Sequence, residues 1–313
     1  MSTAGHAHHA AGDPRRATWA GAGAIAIWSS LASLTAVSGP IPPFQLTAMS
    51  FAIATLVGVA YTIATRVPLS RMVAMPPAVW ALGLYGLLGY HAAYFYALKT
   101  APPLEASIIN YLWPLLIVAF SCLLPANRGG GRLGGRLAIG ALLAAAGTAI
   151  AITSGTASSG SNSATLFSGS ALGYLAALAS AIIWASYSVA SRLFAHVPTA
   201  SLAGLCAATS LGAAFLHLAT ETTHWPLTAH EALIVLACGL GPVGLAFYLW
   251  DHGMKHGEIR LLGVLAYATP LLSLMLLAAF GIGRLTPLLA LAGVLVTAGA
   301  VVAAPGRRDG GPR

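Results

Sequence analysis

The sequence predicts an all-α integral membrane protein whose ten transmembrane helices form two inverted five-helix repeats. Three observations support this class: an apolar composition, apolar runs long enough to cross a bilayer, and an internal repeat. Hydrophobic residues make up 58% of the 313 residues and charged residues only 7%, whereas soluble domains carry roughly 25% charge. A surface that faces lipid has to be apolar, so a bilayer accounts for this composition.

The apolar runs are each about twenty residues long, which is enough to span a ~30 Å hydrocarbon core as a helix. The predicted spans are 18–37, 43–65, 78–98, 103–124, 134–153, 169–190, 199–219, 228–250, 259–281 and 286–304. The uncharged, Gly/Ser-rich stretch between the fifth and sixth spans predicts a flexible linker. The predicted organisation is a tail (1–17), a first repeat (18–153), a linker (154–168), a second repeat (169–304) and a tail (305–313).

The internal repeat is an offset of 156 residues that needs no gap. The two lysines of the chain, Lys99 and Lys255, are separated by this offset, and so are Trp28 and Trp184. Because each copy has an odd number of spans, the two copies must enter the membrane in opposite orientations. Inverted repeats of this kind are the plan of many secondary transporters, whose substrate site lies near the midplane between the halves.

The distribution of basic residues predicts the orientation. Thirteen arginines and lysines fall in one set of alternate loops and tails, and only Lys99 and Arg284 fall in the other. The positive-inside rule then places both termini in the cytoplasm, Lys99 outside and Lys255 inside. The net charge of +8 is scattered in ones, twos and threes, which suits loops at an anionic membrane surface and predicts no nucleic-acid partner.

Several functional classes lack their sequence signals. There is no GxxxxGK[ST] motif for nucleotide and no GxSxG motif for a nucleophile, so neither a nucleotide-driven pump nor an enzyme is predicted, and no cofactor is expected. Two groups of residues resemble metal ligands, but they lie in a predicted tail and at a charged helix corner, and no metal is predicted. The groups are His6, His8 and His9, and Asp251, His252, His256 and Glu258. Three cysteines lie singly in apolar runs and predict small core residues: Cys122, Cys206 and Cys238.

A candidate substrate site lies in the middle of the spans. His91 and Tyr94 share one face of the third span, and Asn110 lies about a third of the way into the fourth. A polar group at bilayer depth costs a few kcal/mol unless it faces protein or water. The alternatives are a structural histidine and, for Tyr94 and Trp113, anchoring in the interfacial aromatic belt. The predicted substrate-binding residues are Trp28, His91, Tyr94, Asn110, Tyr111, Trp113, Trp184, Tyr187 and Tyr267. An aromatic-lined cavity suits flat apolar or cationic solutes.

Two prolines at equivalent positions predict hinges. Pro114 and Pro270 lack an N–H, so the carbonyls of Asn110 and Ala266 lose their helical partners, which favours a kink near the middle of the membrane. Alternating access through bending half-helices needs one such bend in each half. The alternative is that these prolines only shape a static cavity.

The corner Tyr96–Pro103 (YALKTAPP), the proline-broken fourth and ninth spans and the ten-span duplication resemble the drug/metabolite transporter superfamily, EamA-like branch, over about 19–304. His91 and Tyr94, with the Tyr111–Pro114 segment (YLWP), are similar to the aromatic amino acid exporter subgroup of the YddG type. The corner of the second copy, MKHGEIR, departs from the pattern because it lacks prolines.

This resemblance implies a secondary transporter with a central cavity, which exports aromatic and related apolar amino acids across the bacterial inner membrane by alternating access. Two alternatives remain open. One is a broader drug or metabolite exporter, and the other is a membrane receptor or scaffold that carries no flux.

Overall fold

The protein was analysed as a computed structural model that describes residues 14–123, 134–158, 169–194, 197–225, 227–256, 262 and 265–303. The N-terminal histidines, Glu258 and most of the predicted linker and C-terminal tail lie outside these residues. The described chain is 83% helical and contains no strand. Its α-helices are α1 Pro14–Ser29, α2 Leu31–Ala36, α3 Pro43–Ala64, α4 Pro77–Gly83, α5 Tyr90–Thr100, α6 Pro103–Asn110, α7 Trp113–Ser121, α8 Gly135–Ser158, α9 Gly169–Ser191, α10 Ser201–Thr220, α11 Ala229–Leu240, α12 Ala246–His256, α13 Thr269–Ala279 and α14 Pro287–Ala303.

Five helical stretches are long and apolar enough to cross a membrane by length and composition. They are Pro14–Ala36, Pro43–Ala64, Ala171–Ser191, Ser201–Thr220 and Ala229–Gly253. Three shorter apolar helices fall within other predicted spans: Gly135–Ala151, Thr269–Ala279 and Pro287–Ala303. The described part of the chain is therefore all-helical with five strongly apolar spans, as the composition predicts.

Some predicted spans are interrupted rather than continuous, and the interruptions recur in both copies. A π-helical segment, Leu84–Gly89, separates α4 from α5, and a second one, Gly241–Leu245, separates α11 from α12. At the offset of 156 residues, the bounds of α5 coincide with those of α12. Short π-helical segments inside α-helices occur frequently at functional sites. Each segment here directly precedes a helix that carries aromatic residues.

The fourth and ninth predicted spans contain a break just before the proline. Helix α6 ends at Asn110 and α7 begins at Trp113, so Pro114 lies in the first turn of α7. Pro270 occupies the same position in α13, after a turn at residues 267–268. The sequence predicts a kink within one helix, whereas the structure contains two helices joined by a turn. Proline is well tolerated in a first turn because the N–H there has no intrahelical acceptor.

Helices of the first copy pack on helices of the second. The pairs are α1 with α12, α3 with α10, α5 with α9, and α8 with α14. Close packing of α8 on α14 needs glycine: a Cβ on Gly147 of α8 would lie 2.6 Å from the carbonyl oxygen of Ala292 in α14. The two copies therefore pack against each other along most of their helices.

This close packing leads to a stability prediction. Gly147→Ala should lower the free energy of unfolding by about 1–3 kcal/mol, because two backbones must move apart to admit one methyl group. Gly135 begins the same helix with no atom within 4 Å of its would-be Cβ. Gly135→Ala should therefore leave stability unchanged or slightly raised. Thermal unfolding of the two variants in detergent measures the difference, and equal midpoints would contradict the packing argument.

Candidate substrate-binding cavity

A cavity of about 580 Å³ lies between the two copies. This volume falls within the range of ~300–1,000 Å³ that small-molecule sites occupy. Its walls are mainly aromatic and aliphatic, with a few polar groups. The lining residues are Ile25, Trp28, Leu31, Tyr90, His91, Tyr94, Asn110, Tyr111, Trp113, Ile117, Trp184, Tyr187, Ser188, Ser191, Phe194, Val197, Leu202, Phe247, Trp250, Asp251, Ala266 and Thr269.

The structure brings together most of the residues that the sequence predicts for the site. Those that line the cavity are Trp28, His91, Tyr94, Asn110, Tyr111, Trp113, Trp184 and Tyr187. Tyr267 is not among the lining residues. It packs instead against the small cluster around Leu115 and Ala144. Tyr111 occupies the equivalent position in the first copy and does line the cavity, so the two copies place this tyrosine differently.

The centre of the aromatic wall is Trp184 on α9. Its ring centroid lies 5.1 Å from that of Tyr90, 5.5 Å from that of Tyr187 and 6.2 Å from that of Phe247. Trp28 approaches the same ring edge-on at 6.5 Å. Aromatic pairs at 4.5–7 Å stabilise one another beyond their burial. These contacts hold rings from α1, α5, α9 and α12 in one rigid surface.

Trp28 connects this surface to the second π-helical segment. Its indole N–H donates a hydrogen bond to the carbonyl oxygen of Pro242 at 3.0 Å, and its ring also lies 5.3 Å from that of Trp250. A π-helical segment leaves carbonyl groups without their usual partners. The indole N–H supplies one such partner, so this bond fixes both the ring and the helix that it faces.

Asn110 is a buried amide in the last turn of α6. Its side-chain N–H₂ donates to the hydroxyl of Tyr90 at 3.4 Å, and its carbonyl oxygen accepts a hydrogen bond from the hydroxyl of Ser180 at 2.8 Å. The amide therefore joins α5, α6 and α9 where the chain breaks. Because Asn110 directly precedes the turn at residues 111–112, it lies at the point where α6 and α7 could move relative to each other.

His91 is buried among aromatic rings on α5. Its Nδ1–H donates to the carbonyl oxygen of Leu87 at 2.8 Å, and its ring meets that of Phe51 edge-on at 4.8 Å. A structural histidine is expected to bond a neighbouring helix, whereas the observed bond of His91 runs one turn back along its own chain, into the first π-helical segment. A carbonyl oxygen can only accept a hydrogen bond, so Nδ1 of His91 carries the proton. The bond also fixes the orientation of the ring and therefore of Nε2.

Fourteen of the lining residues are not predicted from the sequence, and Tyr90, Phe247, Trp250 and Asp251 are among them. The offset of 156 residues contains the signal for two of them, because it maps His91 onto Phe247 and Tyr94 onto Trp250. Asp251 was considered only as a metal ligand. The described residues contain no group of three or more His, Cys, Asp or Glu that could hold a metal ion.

The cavity extends towards the connection between α9 and α10, where Ser191, Phe194, Val197 and Leu202 line it. Residues 37–43 and 99–103, which are both described, contribute nothing to its lining. The cavity therefore lies towards the connection between α9 and α10, and described residues separate it from the end of the helix bundle that carries Lys99, here called the covered end.

The covered end is held by hydrogen bonds between connections. The ammonium of Lys99 donates to the hydroxyl of Ser38 at 2.7 Å and to the carbonyl oxygen of Gly39 at 2.6 Å. Burial lowers the pKa of Lys99 to about 8, against the smaller opposing effect of the nearby Glu231 carboxylate. The side chain is therefore still predominantly charged at neutral pH and makes charge-assisted bonds.

A second group of bonds at the same end involves Glu221, just beyond α10. Its carboxylate accepts hydrogen bonds from the backbone N–H of Phe44 at 3.0 Å and of Gln45 at 3.2 Å. It also pairs with His217 at 2.8 Å. A carboxylate at a helix N-terminus satisfies N–H groups that have no intrahelical acceptor. The start of α3 is thus fastened to the end of α10.

Comparison with known proteins agrees with this architecture. The EamA-like transporter family matches the chain twice, at residues 16–153 and 171–304. The protein belongs to the EamA-like transporter family. Family membership makes it a multi-pass membrane transporter rather than an enzyme, and it establishes that the chain contains two copies of one domain.

Individual relatives extend the comparison to nearly the whole chain. A protein of Ancylobacter novellus named aromatic amino acid exporter YddG is 48% identical over 92% of this chain and 96% of its own. A protein of the same name from Salmonella typhimurium is 26% identical over 83% of this chain and 86% of its own. A solved crystal structure with 45% sequence identity superposes with a TM-score of 0.71 over 93% of this chain and 98% of the other.

Proposed function

We propose that this EamA-like transporter exports aromatic and related apolar amino acids across the bacterial inner membrane. The aromatic-walled cavity around Trp184, in the gap between the two copies, is the observation that carries this proposal. Flat rings of a substrate stack on such walls, and each aromatic contact contributes about 0.5–1.5 kcal/mol beyond its burial. The relative that shares 48% identity is named as an aromatic amino acid exporter, which supports the same substrate class.

The proposed site consists of the eight predicted residues that line the cavity together with Tyr90, Phe247 and Trp250. Trp184 and Trp28 provide stacking surfaces, and Asn110 provides a polar anchor near the break between α6 and α7. Tyr267 lies outside this set and is assigned a packing role. His91 orients the aromatic wall of α5 through its bond to the π-helical segment.

We propose that the chain forms ten spans in two inverted repeats, bounded at 18–153 and 169–304, with both termini in the cytoplasm. The coincidence of α5 and α12 at the offset supports the repeat, and the thirteen-to-two division of basic residues supports the orientation. In this orientation Lys99 and Glu221 cover the outer end of the cavity. The opposite end of the cavity, at Phe194 and Leu202, then faces the cytoplasm, from which an exporter must load.

This orientation gives a labelling prediction. After Cys122, Cys206 and Cys238 are replaced, a single cysteine at Thr222 should react with an impermeant thiol reagent added outside cells. A single cysteine at Ser70 should react only after the membrane is opened. The opposite pattern would reverse the orientation and exclude the assignment of the covered end to the outside.

Movement between two access states is assigned to the paired breaks at residues 111–112 and 267–268. Each break ends two residues before a proline, Pro114 or Pro270. The helix that follows each break therefore starts a new hydrogen-bonding pattern, and it can tilt without losing an interior hydrogen bond. The offset places one break in each half. Outward opening requires the Lys99 and Glu221 contacts at the covered end to separate.

Counterflow in proteoliposomes tests the transport function. Vesicles loaded with unlabelled phenylalanine should accumulate labelled phenylalanine and tryptophan transiently and with saturation, and protein-free vesicles should not. A scaffold without transport activity would give no saturable signal. A broader metabolite exporter would accept solutes of similar size that are not amino acids equally well, so a hexose is the discriminating competitor.

A further inference from the structure

The duplication places different chemistry at equivalent positions of the cavity wall. Five lining residues of α5, α6 and the turn after α6 carry a hydroxyl, imidazole or amide group. At the offset of 156 residues, four of their counterparts are alanine, phenylalanine or tryptophan, and the fifth does not line the cavity. The pairs are Tyr90 and Ala246, His91 and Phe247, Tyr94 and Trp250, Asn110 and Ala266, and Tyr111 and Tyr267.

Two exchanges along the same helices run in the opposite direction. Thr269 corresponds to Trp113, and Asp251 corresponds to Phe95. Asp251 lies towards the connection between α9 and α10, where it accepts a hydrogen bond from the hydroxyl of Thr199, so the protein itself provides a partner for this carboxylate. Along these helices, the hydrogen-bonding groups of the wall are therefore concentrated in the first copy.

Hydrogen bonds hold part of this polar wall in place. The side-chain N–H₂ of Asn110 donates to the hydroxyl of Tyr90, and the hydroxyl of Ser180 donates to the amide oxygen of Asn110. Because the hydroxyl oxygen of Tyr90 accepts from the amide, its own proton remains available to a further acceptor. The second copy cannot form such a cluster, because the three counterparts are alanines: Ala246, Ala266 and, for Ser180, Ala24.

Tyr94 adds a second hydroxyl to the polar wall. Its ring centroid lies 5.6 Å from that of Tyr90, and its hydroxyl is hydrogen-bonded to that of Ser107 at 3.2 Å. Phenolic hydroxyls and a side-chain N–H₂ can donate to the oxygens of a carboxylate, and hydrogen bonds to an ionised acceptor are stronger than those between neutral groups. The first-copy wall therefore suits the carboxylate of an amino acid.

The corresponding wall of the second copy suits an aromatic ring. The ring centroid of Phe247 lies 5.7 Å from that of Trp28 and 6.2 Å from that of Trp184. The ring of Trp250 lies 5.3 Å from that of Trp28. A substrate ring placed beside Phe247 would meet other rings at distances that favour aromatic pairs. A carboxylate placed there would lose its hydration without gaining the donors that the first copy offers.

We propose that the two copies bind opposite ends of one substrate molecule. The cluster of Tyr90, Tyr94 and Asn110 binds the carboxylate of the amino acid, and the apolar wall that contains Phe247 binds its ring. Ser180 is a positioning residue that acts through Asn110. This inference rests on the proposed function, because it concerns how the same cavity holds the same class of substrate.

Two probes test the carboxylate site on the wild-type protein. Phenylalanine and 2-phenylethylamine differ only by the carboxylate. Their binding is measured by ligand-induced thermal stabilisation in detergent, which requires no flux. The half-saturating concentration of phenylalanine should be lower by about tenfold or more, because a carboxylate gains hydrogen bonds that the amine cannot make. Equal half-saturating concentrations would overturn the proposal.

Tyr90→Phe removes one hydroxyl and keeps the ring that lies 5.1 Å from Trp184. The half-saturating concentrations of phenylalanine and of 3-phenylpropionate, which both carry the carboxylate, should rise roughly tenfold. That of 2-phenylethylamine should stay constant. Tyr85→Phe is the matched control, because the hydroxyl of Tyr85 bonds Ser186 at 2.8 Å and does not line the cavity. Equal loss for all three probes in Tyr90→Phe would assign Tyr90 a structural role and overturn the proposal.

Two further variants separate the ends of the substrate. Phe247→Ala should weaken the binding of all three probes by similar factors, because each carries the ring. Ser180→Ala should repeat the pattern of Tyr90→Phe with a smaller factor, because it releases Asn110 without removing a donor to the carboxylate. A loss in Phe247→Ala that is confined to the two probes with a carboxylate would overturn the assignment of the ring.

The orientation and the transport function fail separately. If the probes bind with the expected dependence on Tyr90 but phenylalanine shows no saturable counterflow, the carboxylate site stands and the transport proposal fails. If counterflow is saturable but Tyr90→Phe weakens all three probes equally, transport stands and the orientation fails. If Tyr90→Phe does not fold, the comparison of phenylalanine with 2-phenylethylamine on the wild-type protein decides.

Discussion

Replacing Trp184 with alanine is expected to raise the half-saturating concentration of an aromatic amino acid by roughly ten- to a hundredfold in counterflow. Its ring lies within 6.5 Å of four other aromatic rings, so the change removes a stacking surface and also releases its neighbours. A loss of ~1.4–2.7 kcal/mol corresponds to that factor in affinity. Trp184→Phe, which keeps an aromatic ring, should recover part of this affinity.

Trp19→Ala is the matched control for this variant. Trp19 lies on α1 with 76% of its surface exposed in the absence of lipid, so its replacement should leave saturation unchanged. The amount of folded protein, read by size-exclusion chromatography, separates a lost contact from a lost fold. If the Trp184 variant and the wild type showed similar kinetics, the aromatic wall would not be part of the binding site.

Replacing Pro114 and Pro270 together with alanine is expected to lower the turnover rate by about tenfold or more, with a smaller change in substrate binding. Alanine supplies the missing N–H and removes the ring that restricts the preceding residues. The turns at residues 111–112 and 267–268 can then close into continuous helix, which removes both bends and slows the exchange between the access states. Each single variant should shift accessibility of cysteines on the two faces of the cavity in opposite senses.

Pro287→Ala provides the control for the hinge prediction. Pro287 also begins a helix, α14, but it lies on an exposed surface away from the cavity. Its replacement should leave turnover and accessibility as in wild type. Wild-type turnover in the Pro114/Pro270 double variant would assign these prolines to a static cavity wall.

The sequence by itself determined the all-helical membrane class, the duplication and eight of the residues that line the cavity. Composition and the length of the apolar runs decide the class, because an apolar run of about twenty residues crosses the hydrocarbon core as a helix whose backbone groups bond one another. Mid-span polar and aromatic residues such as Asn110 and Trp184 could be found because such residues are costly or unusual at that depth. The offset that relates Trp28 to Trp184 also relates the two predicted residues of α5 to Phe247 and Trp250, so the sequence contains the information to predict both.

Only the tertiary structure decided which equivalent residues share the cavity and where each span is interrupted. Tyr111 and Tyr267 are related by the duplication, yet one lines the cavity and the other packs on a small side cluster. Local sequence cannot distinguish them, because the difference comes from helices distant in the chain. The association of Thr199 with Asp251 is likewise a contact between residues far apart in sequence. A carboxylate that reads as part of a charged helix corner becomes part of the cavity wall only when α12 packs beside the start of α10.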